Sequence, residues 1–219
     1  MKAPAREGPV IVYGASGHGK VVADILRACG MKVKGFVDDD PLKFGEISGL
    51  KILGDGKWLA EQAGRGPVAV ALGVGDNFDR SAIAERCAAI GVRLLTAVHP
   101  SATIAPSAKI ALGVVIMAHA VVNPDVIIEQ GVIINTGAIV DHDFHVGNFA
   151  HLSPKVAIGG HVHVGSFSWL GIGSTVIPNL EIGMGSIVGA GATVVSDIDE
   201  WVVAVGTPAH TLKELARRI

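Results

Sequence analysis

From Ile104 onward an aliphatic side chain recurs at every sixth position: Ile104, Ile110, Ile116, Val122, Ile128, Ile134, Val140, Val146, Leu152, Ile158, Val164, Leu170, Val176, Ile182, Val188 and Val194. With just under half of the chain apolar, sixteen such hits in a row would arise by chance about once in 10⁵ trials. Four residues after the aliphatic position the side chain is often small, as at Ala108, Ala120, Ala138, Ala150, Ser168, Ser174, Ser186 and Ala192. Directly after it glycine is frequent, at Gly147, Gly159, Gly165, Gly171, Gly183 and Gly189. Neither a helical period nor a simple alternation fits this spacing. Short strands joined by tight corners do fit. Three strands per coil enclose a triangular prism, one aliphatic residue per hexad points inward, and the glycines and small residues are expected to turn the chain between walls. A coil is then 18 residues, and the hexads amount to roughly five coils. This predicts an all-β left-handed parallel β-helix over 98–205. Residues 206–219, with Pro208 and then Leu212, Leu215 and Ile219, read as a terminal turn and helix closing the prism.

Residues 1–97 carry a different pattern. Val10–Tyr13 is a short apolar strand that runs into Gly-Ala-Ser-Gly-His-Gly-Lys, followed by an amphipathic helix from about Val21 to Cys29. A second strand is expected at Val33–Val37, stopped by Asp38, Asp39, Asp40 and Pro41, and a third at Val68–Leu72. A helix from about Arg80 to Ile90 and a short strand at Arg93–Leu95 complete the series. Alternating strands and helices predict a small α/β, Rossmann-like domain with a parallel sheet.

Composition narrows the partners. Charged residues make up only 17%, yet no apolar run is long enough to span a bilayer, so the hydrophobic residues belong to packed cores. The opening residues lack the apolar core of a signal peptide, and Cys29 and Cys87 form no spaced framework, which points to a cytoplasmic protein with reduced thiols. A net charge of −2 without basic runs gives no footprint for a nucleic-acid polymer.

Two places can carry chemistry. In the first, the turn containing Ser16, Gly17 and His18 joins a strand to a helix and so presents backbone N–H groups to a phosphate. Its spacing is not that of the dinucleotide fingerprint, and a sugar-linked diphosphate, a dinucleotide and a purely structural turn all remain open readings. Asp38 ends the second strand, where an acid can accept hydrogen bonds from a ribose or base, although the acidic run could equally be a solvated turn. Gly73 falls at the same edge of the sheet. The second place is the histidine-rich stretch from Asn135 to His151. His142 takes the third place of its hexad and can leave the prism, with Asp141 and Asp143 beside it as possible orienting carboxylates. Such a histidine can remove a proton from an amine or hydroxyl, or it can be one more polar residue on a wet face. Gly160 follows one coil later, where its N–H could steady an oxyanion, and Ile172 stacks on Ala190 by the same count. His161 and His163, two residues apart, raise zinc binding, and with it a metal-dependent enzyme of the γ-class carbonic anhydrase type, as a rival reading.

The segments Tyr13–Lys20 (YGASGHGK), Phe36–Asp39 (FVDD), Asn135–Asp143 (NTGAIVDHD), Leu170–Leu180 (LGIGSTVIPNL) and Val205–Ala209 (VGTPA) carry a resemblance across the whole chain. They are similar to the bacterial sugar O-acyltransferase family, which includes sialic acid O-acetyltransferases and nucleotide-sugar N-acetyltransferases. Most alike are the enzymes that acetylate the 4-amino group of UDP- or GDP-linked 4-amino-4,6-dideoxy sugars. The resemblance implies that His142 is the general base oriented by Asp143 and that the Gly160 N–H supports the tetrahedral intermediate. It also implies an acetyl-CoA site lined by His151, Ile172 and Ala190, and a nucleotide-sugar site at Ser16, Gly17, His18, Asp38, Asp39 and Gly73. No metal is expected, and the assembly is expected to be a homotrimer. Sialic acid or other sugar O-acetylation is the alternative, and a non-catalytic nucleotide-sugar sensor is a further one.

Overall fold

An apolar strand that ends in a glycine turn is stable only between two neighbours, and Val10–Tyr13 (β1) lies between Val33–Val37 (β2) and the Ala69–Leu72 strand, parallel to both. These relations come from a computed structural model that describes residues 10–218. The leader-free reading of the opening segment, and the place of Ile219 in a terminal helix, therefore fall outside the described residues. Around β1 and β2 the domain adds α1 (Gly17–Ala28), β3 (Glu46–Ile47), β4 (Leu50–Gly54), α2 (Gly56–Ala63), β5 (Ala69–Leu72), α3 (Asn77–Ala89) and β6 (Arg93–Leu94). The sheet runs β3-β4-β2-β1-β5-β6. Strand order reverses between β1 and β5, which opens a crevice at the carboxyl ends of the strands.

Helix α1 begins four residues before Val21, so Gly17 to Lys20 form its first turn rather than part of a loop. The sequence pattern did not anticipate β4 and α2. Helix α2 has only eight residues, and Asp55 fixes its start by accepting hydrogen bonds from the N–H groups of Lys57 and Trp58.

Beyond Ala97 come seventeen two-residue strands, β7 to β23, one every six residues from Ala97–Val98 to Thr193–Val194. Each of β7 to β20 pairs in parallel with the strand 18 residues on, as in Val115↔Ile133, Ile139↔Ala157 and Ile127↔His145. Three walls result. The second residue of each strand points in, and every periodic aliphatic residue from Ile116 to Val194 is buried. Each such burial contributes about 1.5–3 kcal/mol.

The corners differ from expectation. The left-handed backbone that turns the chain lies three residues after the aliphatic position, at Gly137, Asp143, Lys155, His161 and Gly173 among others. The glycines directly after the aliphatic position serve close approach between coils. A Cβ on Gly171 would stand 2.5 Å from Ala190 N, and one on Gly165 would stand 2.5 Å from Met184 N.

The terminal helix is also corrected. After a turn at 206–209, residues His210–Glu214 (β25) pair antiparallel with Val202–Val205 (β24), which continues the first wall. The exposed edge of β24 offers unpaired backbone groups, and the segment takes those in preference to local helical bonds.

The α/β domain docks on that same first wall. Outward-facing Val115 and Ile133 are fully buried in a cluster with Val22, Ile25 and Leu26 of α1. Arg80 of α3 is fully buried and donates to the carbonyls of Gly131, Phe149 and Ala150 of the prism and of Val74, Gly75 and Asp76 of its own domain. Neighbouring Asn77 accepts from Arg80 and donates to Phe167 O. These bonds satisfy a charge that would otherwise be too costly to bury.

Candidate active site

His142 stands on the corner between the second and third walls, two residues past inward-facing Val140. Its side chain is half exposed. Three polar contacts set the ring. Nδ1 lies 2.8 Å from Asp143 Oδ2, the backbone N–H donates to Asp141 Oδ1 at 2.8 Å, and Asp141 Oδ1 also accepts from Asn123 Nδ2 at 2.8 Å. Asp143 is therefore the orienting carboxylate, while Asp141 is occupied with the backbone and Asn123. Beside a carboxylate, Nδ1 must carry the ring proton, which leaves the Nε2 lone pair outward. The hydrogen bond to Asp143 raises the His142 pKa above its ordinary value, and the charge of Asp141 adds to this. Those hydrogen bonds from Asn123 and from the His142 N–H hold Asp141 below the usual carboxylate range.

Gly160 packs against this ring from the next coil. A Cβ there would lie 2.6 Å from His142 Cε1 and 2.7 Å from Nε2, so no other residue leaves room for the imidazole. The coil count thus brings together His142, Asp143 and Gly160. On another corner, Gly191 N donates to Ile172 O at 2.8 Å, which stacks Ile172 under Ala190 as expected, with Ile172 exposed.

The glycine-rich turn borders a cavity of about 350 Å³ lined by Tyr13, Gly14, Ser16, Asp38, Asp39, Lys43 and Arg86, among others. A second cavity of about 420 Å³ shares Tyr13, Asp39 and Arg86 with it. Asp38 accepts from Ala15 N at 2.7 Å and from Lys43 Nζ at 2.9 Å. Burial alone would raise its pKa, but those donors prevail and hold it low. Asp39 accepts from Tyr13, from Gly56 N and from Arg86, and it too is held low against its burial. Burial and the bond to Asp39 push the Tyr13 hydroxyl up, so it remains a donor. The cavity thus combines fixed carboxylates, two cations and the free amino end of α1, whose N-cap Ser16 makes no side-chain capping bond. Such a surface suits a ribose and a diphosphate.

Three expected site residues lie elsewhere. Gly17 opens α1 and is exposed, and Gly73 is spent on packing, since a Cβ there would lie 2.6 Å from Val12 Cγ1 and 2.9 Å from Gly14 O. His18 turns toward the prism. Its ring centroid is 6.4 Å from that of His151, which projects from the first wall and stacks on Trp169 at 5.3 Å. Burial, followed by the charge of Arg80, lowers His18 to about 4 and His151 to about 3, so both are neutral at physiological pH. Asn135 Nδ2 lies 3.1 Å from His151 Nε2, whereas His151 Nδ1 and His18 Nε2 are buried without a hydrogen-bond partner. The junction of the two domains therefore presents unsatisfied imidazole nitrogens, the kind of group a bound molecule completes.

His161 and His163 do not act as a pair. His161 occupies a left-handed corner and meets His142 edge-on at 5.3 Å, while His163 lies in a strand and meets His145 at 4.6 Å. Alternation along a strand does not extend into a corner residue, and the spacing of two misled for that reason. Sequence reasoning missed Tyr13, Lys43, Arg80 and Arg86 as lining or anchoring residues. Tyr13 alone stood within a motif that signalled it.

Comparison with known proteins identifies the family. Residues 9–87 match the family model described as PglD N-terminal domain. The chain is 39% identical to GDP-perosamine N-acetyltransferase from Caulobacter crescentus, a variant with one histidine replaced by alanine and bound to CoA and GDP-perosamine. That likeness covers 97% of this chain and all of the other, with a TM-score of 0.91. The acetyltransferase domain of PglB from Neisseria gonorrhoeae, in complex with acetyl coenzyme A, is 37% identical over 93% of this chain and 98% of its own, with a TM-score of 0.88. UDP-N-acetylbacillosamine N-acetyltransferase from Bacillus subtilis is 37% identical over 110 residues, a match that spans about half the length of each protein. Fold and relatives define a left-handed β-helix acetyltransferase with an α/β domain at its amino end. The chain belongs to the bacterial nucleotide-sugar N-acetyltransferase family. This replaces the γ-class carbonic anhydrase reading.

Proposed function

We propose that this protein transfers the acetyl group of acetyl-CoA to the 4-amino group of a UDP- or GDP-linked 4-amino-4,6-dideoxy sugar. The observation that carries the reading is the His142 corner, where a carboxylate-paired imidazole keeps its Nε2 lone pair beside Gly160. In this reading the sugar amine attacks the thioester carbonyl, His142 Nε2 takes the amine proton, and the Gly160 N–H faces the oxyanion. Collapse expels the CoA thiolate, which leaves with that proton. The cysteines take no part, because Cys29 and Cys87 lie in the α/β domain and burial raises the pKa of each thiol.

The nucleotide would lie at Ser16, Asp38 and Asp39, with His18 and His151 at the junction where its sugar meets the acetyl group. Acetyl-CoA would run along Ile172 and Ala190. The His142 corner is across the prism from the first wall, on which the α/β domain and His151 sit. Base and bound amine can therefore meet only if a second copy supplies the corner. A cyclic homotrimer, in which each prism lends His142 to its neighbour's pocket, satisfies this. We place the enzyme in the cytoplasm, where acetyl-CoA and nucleotide sugars are made; no helix among the described residues is long and apolar enough to cross a membrane.

The test is CoA release measured against a panel of UDP- and GDP-linked amino sugars and against sialic acid. A 4-amino sugar nucleotide should support release, and His142→Ala should lower kcat by about 10²–10⁴-fold. Release with sialic acid alone would replace N-acetylation by O-acetylation. Sugar binding without release would make the protein a sensor.

A further inference from the structure

The reaction just proposed leaves His161 without a role. It stands one coil above Asp143, and both residues adopt the left-handed conformation, at φ 56° and 55°. His161 Nε2 is 3.6 Å from Asp143 Oδ2, the same oxygen that lies 2.8 Å from His142 Nδ1. One ligand atom from each of the three residues falls within 4.8 Å of the other two. Around a tetrahedral zinc ion, donors about 2.0–2.2 Å from the metal are roughly 3.4 Å apart. Two of the separations bracket that value and the third is at most 4.8 Å, so side-chain shifts of about an ångström would admit the ion. The supporting backbone is fixed by His161 N→His142 O and Asp143 N→Pro124 O, both 3.1 Å, and each side chain is about half exposed, which leaves the remaining coordination positions to water. Two imidazoles and one carboxylate favour zinc, nickel or copper over magnesium or calcium.

We propose that this corner is a divalent transition-metal site, formed by His142 Nδ1, Asp143 Oδ2 and His161 Nε2, at which zinc inhibits the enzyme. Binding itself rests on geometry alone, and only the inhibition rests on the proposed role of His142. In the resting ring Nδ1 holds the proton and Nε2 the lone pair. Coordination at Nδ1 transfers that proton to Nε2, with no net loss to solvent. Nε2 then becomes a donor and has no lone pair with which to take a proton from an amine.

Calorimetric titration of metal-free protein with ZnCl₂, supported by the visible spectrum of the Co²⁺ form, tests the site without any substrate. One ion per protomer is expected, with His161→Ala weakened at least about tenfold and His119→Ala, an exposed histidine elsewhere on the prism, unchanged. Equal affinity in wild type and His161→Ala, or an equal loss in His119→Ala, overturns the site. Formation of acetylated sugar, followed by chromatography because the CoA thiol itself binds zinc, tests the inhibition. Saturating zinc should abolish turnover in wild type, whereas His161→Ala keeps most of its own zinc-free rate. Equal inhibition of the two overturns the regulatory role. A protein that binds zinc through His161 yet acetylates no sugar would refute the proposed function and leave the site standing.

Discussion

His142 and His151 are nine residues apart on one coil, yet they occupy opposite kinds of environment. His142 leaves a corner into solvent, leans on a carboxylate and has its pKa raised. His151 leaves a wall beneath a second domain, shares a buried junction with His18 and Arg80, and has its pKa lowered to about 3. The hexad position decides which residue is exposed. The surroundings decide which of them gains protons readily: the hydrogen bond to Asp143 raises His142, whereas burial, followed by the charge of Arg80, lowers His151. One side chain type thus supplies a base at the corner and neutral hydrogen-bonding groups at the junction, and the proposed reaction needs both.

The contrast breaks most severely at Gly160. Gly160→Ala places a methyl group against the His142 ring and should reduce kcat by about 10²-fold with little change in KM, because the nucleotide pocket lies elsewhere. Steady-state kinetics would show a wrong assignment as a loss confined to KM. A smaller effect follows from Asp143→Asn, which leaves shape but removes charge. The acid limb of kcat/KM reports the free base, so it should move to lower pH as the His142 pKa falls toward the ordinary value of about 6.5, and the plateau should drop about tenfold. An acid limb that stays in place would mean that Asp143 does not set the basicity of His142.

The smallest effect concerns stability. His18 and His151 have folded pKa values of about 4 and about 3, below the unfolded value near 6.5, so the unfolded chain binds more protons between these limits. Stability is then complete above about pH 6.5 and declines as the pH falls toward 4. Thermal melts at pH 7.5 and 5 should show a drop of several degrees in wild type and a smaller one in the His18→Gln/His151→Gln variant. Equal drops would show that the junction is not where acid acts.

The prism was legible because its period admits one architecture, and the corner because 18-residue counting stacks Gly160 on His142. The junction was not legible. Arg80 shares a helical face with buried Ile83, Ala84 and Cys87, but a guanidinium in a first turn reads as a solvated charge, and only the prism wall that packs over it reveals a buried anchor. The role of the glycines after each aliphatic residue was misread for a similar reason, since close approach between coils leaves no local trace. Leu212 and Leu215 have helical spacing, but the open edge of β24 outweighs local propensity.

The central claim is that corner and junction, on different copies of the chain, form one site. Co-expression of His142→Ala, which lacks the base, with Ser16→Trp, which fills the cavity at the glycine-rich turn, tests it directly. Each variant alone should be nearly inactive. In mixed trimers a site that takes its pocket from the first and its corner from the second is intact, so CoA release should recover to about a quarter of the wild-type rate per site. Mixed oligomers that form but remain inactive would contradict the account.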